Sequence, residues 1–180
     1  MSIEKIFQKI KDNIFLIPTE RFDTLAADKS LMDSFVYYLV LLAITMPFNI
    51  IISIISHGAT ISAIIGALFG AVLIIPLFYL SCVIMFALLK IVGGKADLSR
   101  TIQVFIYGGT CGTIFSWIPL LNYLASLVSL SNIVLGSARI HQIPLWKAVL
   151  VIVVVPIIIF IILAVMASIA MMSLFSGGFA

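Results

Sequence analysis

The chain has 180 residues, of which 63% are hydrophobic and only 9% charged, with a formal net charge of +3. Soluble domains hold about 45–50% apolar and about 25% charged residues, so this composition excludes a water-soluble globular protein and points to lipid. Cys82 and Cys111 both lie in apolar runs, which excludes a secreted disulfide framework, and they form no CxxC pair.

The N-terminal stretch is too long and too mixed in charge for a cleavable signal. Ile3, Ile6, Phe7, Ile10 and Ile14 recur at helical spacing, with Lys5, Lys9, Lys11 and Asp12 elsewhere on the wheel. The pattern predicts an amphipathic helix over residues 2–16, ended by Pro18. Two placements suit it: flat on the membrane surface, or packed on the cytoplasmic ends of the helices that follow. Residues 1–33 therefore read as a cytoplasmic segment ahead of a helical membrane domain over 34–180.

Five spans are expected in that domain. The first, about 35–56, is free of charge and long enough to cross a hydrocarbon layer of about 30 Å. Tyr37 and Tyr38 suit the headgroup region, and Pro47 predicts a kink. The second, about 61–90, exceeds a perpendicular crossing, so tilt or a bend at Pro76 must absorb the excess. Its Gly66 and Gly70 make a small face that another helix can approach closely. A Gly93–Gly94 turn and a charged hairpin to Arg100 lead into the third span, about 102–118, the shortest. It repeats the small spacing at Gly108 and Gly112, and its glycines weaken a helix by about 1 kcal/mol each relative to alanine. This span is expected to be broken or tightly clasped. The fourth, about 121–138, is the most polar and should face the bundle interior. The loop RIHQIPLWK returns the chain to a fifth span, about 148–174, bent at Pro156 and followed by an uncharged tail.

Basic residues set the expected topology. Five precede the first span, three fall in Lys90–Arg100 and two in Arg139–Lys147. With five spans these regions share one side, so the positive-inside bias places the N-terminus in the cytoplasm and the C-terminus outside.

No GxSxG, HExxH, phosphate loop or CxxC is present, and no acidic or basic side chain lies deep in a span. The reading is therefore of a protein that is not an enzyme, with no catalytic residue, cofactor or metal, and no nucleic-acid partner. His57 and His141 fall on opposite sides of the membrane and read as ordinary interface histidines. Asn49, Thr110, Cys111, Thr113 and Asn132 form a polar set within the spans. They serve either as hydrogen-bonding glue between helices or as the lining of a small cavity for a lipid head group or solute. Lys95, Arg100, Arg139 and Lys147 form a basic rim, which either orients the chain against anionic lipid or docks an acidic cytoplasmic partner.

With these features read, the chain resembles the Yip1 family of five-span membrane proteins. The resemblance rests on the pre-membrane helix followed by Pro18 and Phe22, and on Gly93–Gly94 closing the second span. Tyr107 and the small and polar residues before Ala138 and Arg139 complete it. It implies a cytoplasmic N-terminus and an external or luminal C-terminus. Eukaryotic members are associated with Rab-type GTPases through a longer cytoplasmic region, whereas the short segment here resembles compact prokaryotic members. The expected role is to organise protein partners or lipids at the cytoplasmic surface of a prokaryotic cell membrane, with self-association through the small faces. The alternative is a passive channel or carrier using the polar third and fourth spans.

Overall fold

The computed structural model describes residues 3–15, 17, 21–27, 31–57 and 61–176; the expectations resting on Pro18 and on the tail at 177–180 lie outside them. All regular structure among the described residues is helical. The elements are α1 (Ile3–Asn13), α2 (Arg21–Ala27), α3 (Leu31–His57), α4 (Ile61–Ile91), α5 (Leu98–Gly108), α6 (Thr110–Ile114), α7 (Pro119–His141), α8 (Leu145–Val149) and α9 (Val155–Ser176). A π-helical turn over Leu150–Val154 joins the last two.

Among the described residues, four stretches are long and apolar enough to cross a membrane: Leu31–Ser56, Leu68–Ile91, Pro119–His141 and Leu145–Ile169. Lipid offers no partner to backbone N–H and C=O groups, so chains of this composition close those bonds within helices. Pro47 and Pro76 lie inside α3 and α4 without ending them. Pro156 has no N–H, and its ring crowds the carbonyl one turn back; the wider π turn lies where that crowding falls.

The predicted third span is two helices, α5 and α6, neither of them long enough to cross alone. Asp97 starts α5 by accepting the Arg100 N–H at 3.0 Å, a standard N-cap. The interruption falls at Gly109, whose N–H bonds to the Phe105 carbonyl at 2.9 Å. A Cβ at Gly109 would stand 2.7 Å from that same oxygen, so a side chain would have to displace backbone.

Contacts fix how the helices run. Thr101 meets His141, Gly108 meets Ile133 and Gly112 meets Ser129, so α5–α6 lies antiparallel along α7. Ser34 meets Tyr107 and Tyr37 meets Thr110, so α3 runs parallel to α5–α6. Its start is level with the end of α5, roughly 14 Å along the axis from where α5 begins, at about 1.5 Å per residue. The start of α3 is thus set back from the level that α4 reaches at Val92, and the step above α3 is filled by the N-terminal segment, with α2 against α5 and α7.

Burial is uneven along the bundle axis. At the end where the Gly93–Arg100 hairpin meets the His141–Lys147 turn, here called the basic end, side chains from Ile102 to Tyr107 and from Asn132 to His141 are largely buried. Toward the far end, α4 exposes Ile65, Phe69 and Val72, and α9 exposes Phe160, Leu163 and Met166. The helices pack tightly at the basic end and present apolar surface beyond it.

Candidate functional site

The N-terminal segment crosses the basic end as a strap, seated by a set of polar and charged residues. Asn132 is fully buried on α7. Its carboxamide oxygen accepts the Ile17 N–H and its amide donates to the Phe15 carbonyl, both at 2.9 Å. One side chain thus supplies both partners that an extended backbone needs inside a protein, where an unmet group would cost about 1–3 kcal/mol. Behind this clamp Phe22 is fully buried between α5 and α7. The slot exists because residue 136 is glycine: a Cβ there would stand 2.6 Å from the Phe22 ring and 2.9 Å from Val104 Cγ1.

Charge fastens the strap at its rim. Arg139 Nε and Nη2 donate to the Asp23 carboxylate, at 3.1 and 2.8 Å to Oδ2. These hydrogen bonds hold Asp23 below its ordinary carboxylate range. Arg21 pairs with Asp12, closing the segment on itself. In α1, Ile6 packs with Tyr37, Tyr38 and Leu41, while Lys9 donates to the Tyr107 hydroxyl at 3.1 Å. The Tyr107 and Tyr37 rings lie 5.1 Å apart, and Asn13 is buried against the Tyr37 hydroxyl.

The apolar arc of α1 is therefore divided. Ile6 and Ile10 face the bundle, whereas Phe7 remains 60% exposed and Phe15, just beyond the helix, 71% exposed. Packing on the helices is the placement that Ile6 and Ile10 take, while Phe7 on the same helix faces outward.

The double-glycine turn is locked from the other side. Gly93 has a φ of +98°, and Gly94 lies against His141, where a Cβ would come within 2.4 Å of Nδ1. The Lys95 N–H bonds to the His141 carbonyl at 3.1 Å, and His141 Nε2 lies 3.0 Å from Thr101 Oγ1. His141 is fully buried between the turn and α5, packed within the protein at the end of α7.

The sequence-selected residues fall into separate places. Of the basic rim, Arg139 holds Asp23 and Lys147 donates to the Val92 carbonyl at 3.0 Å, where α4 has ended, while Lys95 and Arg100 are exposed. Of the polar set, Thr110 bonds Tyr37 at 2.9 Å and Asn132 holds the strap. Cys111 is buried. Asn49 and Thr113 instead line a groove of about 840 Å³ between α3, α4 and α6. Gly108 and Gly112 stand against Ile133 and Ser129 of α7, whereas a Cβ added at Gly66 or Gly70 would meet nothing within 4 Å. Among the described residues no group of His, Cys, Asp or Glu gathers to hold a metal ion. Sequence patterning gives no site role to Gly136 or His141, and Phe22 and Tyr107 enter it only through the family resemblance.

The family model described as the Yip1 domain matches residues 13–167. The chain belongs to the Yip1 family. The match begins at Asn13 and so takes in the strap seat, both hairpins and most of α9. No curated protein and no solved structure matches the chain. As a membrane protein of this family it places the apolar surfaces of α4 and α9 against lipid.

Proposed function

We propose that this Yip1-domain protein is a non-enzymatic organiser of protein partners or lipids at the cytoplasmic surface of a cell membrane. In this reading its N-terminus lies in the cytoplasm and its C-terminus outside, with α5–α6 counting as the third of five spans. The antiparallel run of α5–α6 along α7 supports that count, since it carries the chain from the basic end toward the far end. The observation that carries the function is that close packing is concentrated at the basic end, where exposed Lys95 and Arg100 stand on the locked Gly93–Gly94 hairpin. A rigid charged platform recognises an acidic partner with little ordering cost on binding.

Affinity purification from native membranes in mild detergent, followed by quantitative mass spectrometry, tests the reading. The wild type should retain a protein that a Lys95→Glu, Arg100→Glu variant of equal insertion loses. Identical protein sets from the two chains would count against the organiser role.

The groove at Asn49 and Thr113 favours a second reading, a carrier of a small solute or lipid. It opens among apolar side chains, with Asn49 bonded to Ser116 at 3.2 Å on its wall. Under that reading Asn49→Leu reduces a measured flux in proteoliposomes, and unchanged flux removes it.

A further inference from the structure

The Asp23–Arg139 pair forms one wall of an open groove of about 760 Å³, separate from the groove at Asn49. Leu135, Ala138, Ile143 and Leu145 supply apolar lining, and Gln142 a carboxamide. Gln142 shapes the place: at a φ of 53° it ends α7 abruptly, and the chain turns into α8 within three residues. The groove therefore lies where one candidate span ends at His141 and the next begins at Leu145, with exposed Trp146 beside it. Headgroups meet acyl chains at that level, and exposed indole rings settle there. The guanidinium offers a forked pair of donors, Nε and Nη2, which fits phosphate as well as carboxylate. Both partners of the pair remain 52% exposed, so a competing anion can reach them. A free anion would gain nothing from the apolar lining, whereas a lipid uses both parts.

We propose that this groove binds one anionic phospholipid. Its phosphodiester takes the Arg139 fork and its acyl chain lies along Leu135, Ile143 and Leu145. Asp23 is then the strap's own competitor for the guanidinium, so lipid binding and the seating of α2 oppose each other. The proposal rests on the reading of the basic end as a membrane surface.

The test uses the full chain in mild detergent with equimolar phosphatidylglycerol and phosphatidylcholine, and counts retained lipids by native mass spectrometry. Wild type should retain phosphatidylglycerol preferentially. Arg139→Gln should cut that preference about fivefold, the weight of one basic side chain near an anionic surface. Asp23→Asn should raise it, because one carboxylate that contends for the guanidinium is removed, and Lys5→Gln, exposed on α1 and away from the groove, should leave it unchanged. The opposite signs are decisive. A fall in both Asp23→Asn and Arg139→Gln would show the pair only holding α2 and would overturn the site, as would an unchanged preference in Arg139→Gln. Displacement of phosphatidylglycerol by millimolar inorganic phosphate would make it a free-anion site and overturn the lipid assignment. Loss of a protein partner in the Lys95→Glu, Arg100→Glu variant without any lipid preference would sink the groove and leave the organiser reading standing; lipid preference without a partner would do the reverse.

Discussion

Asn132 shows how much one side chain can hold. Replacing it with leucine removes both hydrogen bonds to the Phe15–Ile17 backbone and leaves two main-chain groups unmet, at about 1–3 kcal/mol each. Asn132→Leu should therefore free the strap, read as faster amide exchange at Ile17 and trypsin cleavage after Arg21, with α7 still protected. Equal protection of the strap in both proteins would refute the clamp. A second prediction concerns acid. The Arg139 hydrogen bonds lower the Asp23 pKa, so their contribution is complete above the ordinary carboxylate range and is lost as pH falls through the lowered value. Amide protection in α2 should hold at pH 7 and decline below about pH 4, and Asp23→Asn should flatten the profile. At this scale the sequence was legible in part. A carboxamide in an apolar helix announces that it has a partner, but Asn132 does not reveal that the partner is backbone more than a hundred positions away. Gly136 was less legible still, since a slot for Phe22 leaves no periodicity on α7.

Among the elements, α5–α6 was foreseen best. Short length and clustered glycines predicted a weak or broken helix, and the chain breaks at Gly109 because glycine there spares the Phe105 carbonyl from collision. Gly108 and Gly112 matter differently: they let α7 approach, with Ile133 and Ser129 within about a van der Waals contact of where side chains would begin. Gly108→Leu should cost about 1–3 kcal/mol through overpacking, seen as a lower Tm in detergent. A Tm equal to wild type would mean that α5 and α7 are not pressed together there. The N-terminal helix was legible, with packing on the bundle as one of its two expected placements, but not which of its apolar residues the bundle would take. Periodicity counts faces without saying what covers them, and Ile6 and Phe7 are neighbours with opposite fates.

For the whole molecule, composition was enough to place the chain in lipid, while the stagger of α3 was hidden because no residue encodes a height relative to another helix. The stagger leaves tight packing at the basic end and open flanks beyond, and Gly66 and Gly70 lie on one such flank with space around them. Gly66→Leu, Gly70→Leu should leave Tm unchanged and lower the assembled mass measured by light scattering in mild detergent. An unchanged mass would dismiss that face as a site of self-association. The strap also imposes a schedule. The ribosome delivers Phe15 and Ile17 well before Asn132, 117 and 115 positions later, so the seat does not exist while the early helices are being inserted. Until the later hairpin is in place, the strap has neither Asn132 to bond its backbone nor the Gly136 slot to take Phe22.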